Sequence, residues 1–253
     1  MASEKIKCVF VHGWGMNKAI WQPVIEQLPD WIEPQAIDLP GHGEASAARF
    51  TVLDDLVATL AAHVDQPALW VGWSMGGLAV TQLALEHPEK VSALMLVSSS
   101  PCFVQKADWP CGMKAEVFDS FAAELEADFS GTIRRFLALQ VQGSDSGRDI
   151  LRGIRQKILA QPAANPDALR AGLGLLKTVD LRADLAALTL PVSWQLGQRD
   201  ALVKVALADE LARLMPASEI NIYKRAAHAP FLSHLTQFVD ELTRFAKTLC
   251  PQK

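Results

Sequence analysis

Gly72-Trp73-Ser74-Met75-Gly76 reads G-x-S-x-G, a spacing that makes a serine hydroxyl a nucleophile. It follows an apolar run, Ala68 to Trp73, that reads as a strand, and it opens a helix-period segment. The glycines permit a tight strand-to-helix turn. That turn lifts the Ser74 hydroxyl clear at the carboxyl end of a sheet, and the helix N-terminus aims Met75 N–H at developing negative charge. His12-Gly13-Trp14-Gly15 follows another strand-like run. An H-G-x-G turn there supplies a second oxyanion donor, the Trp14 N–H, and sets the Trp14 side chain as a wall of an acyl pocket.

A serine at neutral pH needs a base, and the base needs an orienting carboxylate. Six histidines compete. His12 belongs to the oxyanion turn. His42, in Asp38-Leu39-Pro40-Gly41-His42-Gly43, reads as a solvated residue of a turn after a strand. His63 and His87 sit at helix ends, and His234 falls within the terminal helix pattern. His228, in Ala226-Ala227-His228-Ala229-Pro230-Phe231, lies between the last strand and the last helix, on the Ser74 side of the sheet. It is the expected base. The acid is expected at the end of the preceding strand, where Gly197-Gln198-Arg199-Asp200 offers Asp200. The chain order is then Ser74, Asp200, His228.

These residues need a scaffold whose strands end on one side. Strands are expected over Ile6–Val11, Gln35–Leu39, Ala68–Trp73, Val91–Val97, Val192–Leu196 and Ile220–Tyr223. Helices are expected over Lys18–Leu28, Leu53–His63, Gly76–Leu85, Val205–Leu214 and Phe231–Leu249. Near-continuous apolar strands alternating with helices predict an α/β fold, a mostly parallel sheet with helices on both faces. The alternation breaks between Pro101 and Leu190. Residues 101–190 are therefore expected to form a helical cap insertion, and residues 1–100 and 191–253 the core.

The chain has 253 residues, half of them hydrophobic, which excludes a disordered chain. Its 24 Lys and Arg against 28 Asp and Glu give a net charge of −4, unlike the basic excess of a nucleic-acid binder. The start lacks the apolar region and small-residue cleavage site of a signal peptide, and no apolar run is long enough to span a membrane. A cytoplasmic monomer with reduced thiols is expected. Cys8, Cys102, Cys111 and Cys250 show no zinc spacing, Cys102 and Cys111 read as inert thiols, and no metal or organic cofactor is implied.

The triad order, H-G-W-G and G-W-S-M-G resemble the α/β-hydrolase superfamily, as does the D-x-P-G-x-G turn at Asp38. More specific stretches resemble its pimeloyl-[acyl-carrier protein] methyl ester esterases of biotin synthesis. These are Ser98-Ser99-Ser100-Pro101-Cys102-Phe103, Asp108-Trp109-Pro110, Arg135-Phe136-Leu137-Ala138-Leu139-Gln140, Leu176-Lys177-Thr178-Val179-Asp180-Leu181-Arg182 and Ala226 to Phe231. The resemblance implies the α/β-hydrolase fold, the triad Ser74, Asp200 and His228, and oxyanion donors on Trp14 and Met75. It implies a substrate path along Phe136, Leu137, Ala138, Leu139 and Gln140, and acyl-carrier protein as the partner bearing the substrate. Family members commonly carry a longer segment before the H-G-W-G strand, so a trimmed sheet edge is expected. A broad carboxylesterase for short acyl esters is the alternative.

Charge in the insertion is uneven. Glu116, Asp119, Glu124, Glu126 and Asp128 form an acidic stretch, and a basic one follows. Arg148, Arg152 and Arg155 recur at i, i+4 and i+7, which one helix face can present together. With Arg135 they are the expected contacts for an acidic carrier protein.

Overall fold

The computed structural model describes residues 5–128, 131–132, 135, 152, 156, 158 and 160–249. Six strands, β1 (Ile6–Val11), β2 (Ile32–Ile37), β3 (Ala68–Trp73), β4 (Val91–Val97), β5 (Val192–Gly197) and β6 (Glu219–Tyr223), form one sheet. Their order is β2-β1-β3-β4-β5-β6, and every pairing is parallel. All residues of β3 and β5 are buried, while the edge strands β2 and β6 are partly exposed. A strand buried on both faces requires helices on both, which is why the central strands are apolar without alternation.

The α-helices described from end to end are α1 (Gln22–Ile25), α2 (Leu53–Ala61), α3 (Met75–Glu86), α4 (Ala115–Ala127), α5 (Pro166–Thr178), α6 (Leu207–Leu214), α7 (Pro230–Ser233) and α8 (Leu235–Lys247). Helix α8 buries Phe238, Val239, Leu242, Phe245 and Ala246, one stripe at helical spacing. Between β4 and β5 the described residues hold α4, α5, a 3-10 turn at Leu185–Ala187 and isolated bridges, but no strand.

Three expected elements differ. β2 starts at Ile32 rather than Gln35, because an edge strand has one unpaired row of backbone groups and so tolerates Pro34. The expected helix at Lys18–Leu28 is a 3-10 turn, Lys18–Trp21, followed by the short α1. The terminal helix is broken at His234, whose φ of −130° and ψ of 47° separate α7 from α8.

The chain runs from β1 out to β2 and returns on the other side of β1 to form β3. The order therefore reverses between β1 and β3. In open parallel sheets the crevice beyond the carboxyl ends at such a reversal is where ligands bind. His12-Gly13-Trp14-Gly15 leaves β1 at that point and Ser74 leaves β3.

Candidate active site

Ser74 has φ 55° and ψ −119°, a conformation costly for any side-chain-bearing residue. Its neighbours hold it there. Its N–H donates to the Val97 carbonyl at 2.9 Å, and its own carbonyl accepts the Ser99 hydroxyl at 2.8 Å. A Cβ at Gly76 would stand 2.5 Å from the His12 carbonyl oxygen, so only glycine lets α3 start this close to the end of β1. Met75 is the first residue of α3, where backbone N–H groups have no acceptor within the helix.

The His12 to Gly15 segment is a tight turn. Met16 N–H donates to the Gly13 carbonyl at 3.3 Å, and Gly15 has φ 68°. The left-handed third position explains the second glycine of H-G-W-G. Two buried histidines brace the turn. His12 Nε2 accepts from Leu39 N–H at 3.0 Å, and its Nδ1 lies 2.8 Å from the Gly13 carbonyl. His42 Nε2 accepts from Gly15 N–H at 3.3 Å, and its Nδ1 lies 3.0 Å from the Pro40 carbonyl. Burial lowers His12 to about 4 and His42 to about 3, so both rings are neutral at pH 7 and can accept. His42 is thus fully buried, not a solvated loop residue. Its ring packs 5.1 Å from that of His12 and its acceptor is needed by the turn.

His228 and Asp200 meet as expected. Nδ1 of His228 lies 2.7 Å from Asp200 Oδ2, and both side chains are buried. The other carboxylate oxygen accepts from Leu202 and Val203 N–H at 2.8 and 2.9 Å. Asp200 is therefore fixed by backbone on one side and orients imidazole on the other. Nε2 of His228 is buried with no hydrogen-bond partner among the described residues. A buried ring nitrogen left unpaired is costly, and beside a nucleophile it is the atom that can accept the hydroxyl proton.

Aromatic residues support the histidine loop. Trp73 Nε1–H donates to the His228 carbonyl at 2.8 Å. Its ring lies edge-on to Phe231 at 5.2 Å, and Phe231 stacks on Trp21 at 4.3 Å. Sequence reading missed this role for Trp73, since its partner is 155 positions away. His234 lies 2.8 Å from the Ser233 hydroxyl and beside the Tyr223 ring, away from this arrangement.

A cavity of about 130 Å³ opens onto Ser74 and Trp14. Its walls are apolar: Phe118 and Phe121 of α4, Leu173 and Leu176 of α5, with Phe103, Met113, Val117 and Leu202. Phe121 meets Trp14 edge-on at 5.3 Å. None of these lining residues beyond Ser74 and Trp14 was expected. The signal was the spacing of Phe118 and Phe121 on an otherwise charged helix. Phe136, Leu137, Ala138, Leu139 and Gln140 lie outside the described residues, as do Arg148, Arg155 and Cys250. Cys8, Cys102 and Cys111 are buried free thiols.

The acidic stretch of α4 is paired. Lys177 bonds Asp119 at 2.5 Å, Arg170 pairs with Glu126, and Arg135 lies 3.3 Å from Glu124 and 3.6 Å from Asp128. Arg152 is exposed. Two stretches quoted for the resemblance also come together. Arg182 bonds Asp180 and Asp108 at 2.8 and 3.0 Å and lies 5.1 Å over the Trp109 ring. These contacts hold Asp180 well below the usual carboxylate range, the Arg182 hydrogen bonds first among them. Among the described residues no three His, Cys, Asp or Glu side chains are grouped to hold a metal, and no helix is long and apolar enough to cross a membrane.

Residues 8–241 match the model of the alpha/beta hydrolase family. The pimeloyl-[acyl-carrier protein] methyl ester esterase of Aliivibrio salmonicida is 39% identical over 237 residues, covering 94% of this chain and 90% of that protein. The protein of the same name from Vibrio vulnificus is 40% identical, covering 94% and 93%. A crystal structure of bromoperoxidase from Bacillus anthracis superposes with a TM-score of 0.87 over 96% of this chain and 92% of that one, at 20% identity, a likeness of fold alone. The chain belongs to the alpha/beta hydrolase family and, within it, to the family of the pimeloyl-[acyl-carrier protein] methyl ester esterases.

Proposed function

We propose that the protein is a serine carboxylesterase that hydrolyses the methyl ester of pimeloyl-[acyl-carrier protein], releasing methanol in biotin synthesis. The observation that carries the chemistry is the open, buried Nε2 of His228, whose other nitrogen is held by Asp200. The substrate reading rests on the printed names of relatives that match almost the whole chain.

Ser74 Oγ attacks the ester carbonyl while His228 Nε2 takes its proton. Asp200 fixes the ring with Nδ1 protonated and stabilises the imidazolium. The tetrahedral oxyanion is held by Trp14 and Met75 N–H groups, each worth roughly 3 kcal/mol. Methanol leaves with the proton from His228, and water activated by the same nitrogen frees the acid. Side chains and backbone perform every step, so the reaction calls for no metal or cofactor.

Residues 101–190 act as a cap over the site, with the acyl chain between α4 and α5 and along Phe136 to Gln140. Arg148, Arg152 and Arg155 receive the acidic carrier protein. Arg135, shared with Glu124 and Asp128, contributes less to that contact. The protein works as a cytoplasmic monomer.

The test compares methyl pimeloyl-[acyl-carrier protein] with p-nitrophenyl acetate. The carrier-borne ester is expected to show the higher kcat/KM. Combining Arg148→Glu, Arg152→Glu and Arg155→Glu is expected to raise KM for that substrate and leave the small ester within about twofold. Preference for the small ester, with the triple variant unaffected, would instead make this a broad carboxylesterase for short acyl esters.

A further inference from the structure

Helix α5 touches both residues assigned to the oxyanion, and it does so through a glycine. A Cβ at Gly172 would stand 2.7 Å from Trp14 Cδ1 and 2.9 Å from Met75 Sδ. Three residues earlier on the same helix, the Leu169 carbonyl accepts the Trp14 indole N–H at 2.8 Å, 155 positions away in sequence. Trp14, Met75 and Leu169 are at most 1% exposed. The indole is stiff, flat and pinned at its nitrogen, so it cannot yield to an added methyl group as a free side-chain end would. Gly174, two residues on, meets nothing within 4 Å where its Cβ would be. Glycine inside a helix is destabilising relative to alanine. At 174 no neighbour demands it, whereas at 172 the oxyanion residues do.

We propose that Gly172 is a positioning residue for the oxyanion site. Its missing side chain lets α5 seat against the Trp14 indole and the Met75 thioether. The Leu169 carbonyl then fixes the indole, and with it the loop that carries the Trp14 N–H. Met75, the first residue of α3, is met by α5 at its thioether. The two donors thereby keep the separation that a tetrahedral oxyanion requires, and the seating of α5 and the geometry of the donors are one property. The proposal rests on the esterase reading, since it assigns a role within that site.

The experiment uses the full chain and p-nitrophenyl acetate, with Gly172→Ala and Gly174→Ala in parallel. Gly172→Ala is expected to lower kcat by about 10-fold to 100-fold, as small displacements of preorganised donors do, with KM within about threefold. Gly174→Ala is expected to keep the kcat of the unsubstituted protein. A trifluoromethyl ketone, whose adduct with Ser74 places an oxyanion between the donors, should bind Gly172→Ala more weakly by the factor lost in kcat/KM. A purely structural defect would not make those two factors agree. Should Gly172→Ala lose its cooperative thermal transition, Trp14→Phe decides, because it deletes the bond to Leu169 without adding an atom to α5. It is expected to lose kcat about 10-fold.

Full kcat in a folded Gly172→Ala, or in Trp14→Phe where that variant decides, would overturn the proposal. So would a loss confined to KM, or a loss shared equally by Gly174→Ala. Absence of turnover by the unsubstituted protein would overturn the esterase reading, and the proposal with it.

Discussion

His228 and His234 stand six positions apart, and their surroundings separate them. One is clamped to Asp200 and to Trp73, with a nitrogen left open. The other caps the break between α7 and α8 beside Ser233. His228→Ala is expected to lower kcat by about 10⁴-fold, and His234→Ala by less than about threefold, measured as steady-state ester hydrolysis. Reversed losses would move the base to His234. The pairing of Asp200 with His228 was legible because both follow the ends of strands, and strand ends can be read from apolar runs. His42 was misread for the converse reason. A polar residue in a glycine-rich turn gives no local sign that Gly15, 27 positions earlier, will need its nitrogen.

Among the elements, the sequence announces a helical insertion over 101–190 but neither where α4 and α5 lie in it nor what their apolar faces enclose. Phe118 and Phe121 face α5 across the cavity, and the acidic side of α4 takes up Lys177 and Arg170. These ion pairs are exposed and screened by solvent, so they align the helices more than they hold them. Apolar filling decides the space. Phe121→Ala is expected to raise the kcat/KM ratio of p-nitrophenyl hexanoate over acetate several-fold, since each buried methylene contributes ~0.8 kcal/mol. An unchanged ratio would place the acyl chain elsewhere. The strands were legible nearly to the residue where they are central. β2 was not, because an edge strand obeys looser rules and carries a proline.

For the molecule as a whole, the reversal of strand order between β1 and β3 gathers into one crevice residues that the sequence scatters from Trp14 to His228. Keeping two neutral histidines beneath that crevice has a consequence for stability. Their folded values, about 4 and about 3, lie below the unfolded value near 6.5. Below pH ~6.5 the unfolded chain binds protons that the folded one refuses, so stability falls as pH drops toward 4. Each ring can contribute a slope of up to about 1.4 kcal/mol per pH unit between about pH 6 and 4. Denaturant midpoints over that range are expected to fall less steeply in His42→Gln, where a neutral amide replaces the ring. An unchanged slope would contradict the burial argument. The central claim, that Ser74 is the nucleophile of a methyl esterase, is tested most directly by methanol release from methyl pimeloyl-[acyl-carrier protein], comparing the unsubstituted protein with Ser74→Ala. Alanine keeps the turn, so the account predicts a folded variant slower by about 10⁴-fold or more. A Ser74→Ala protein that still releases methanol at a tenth of the original rate would contradict it.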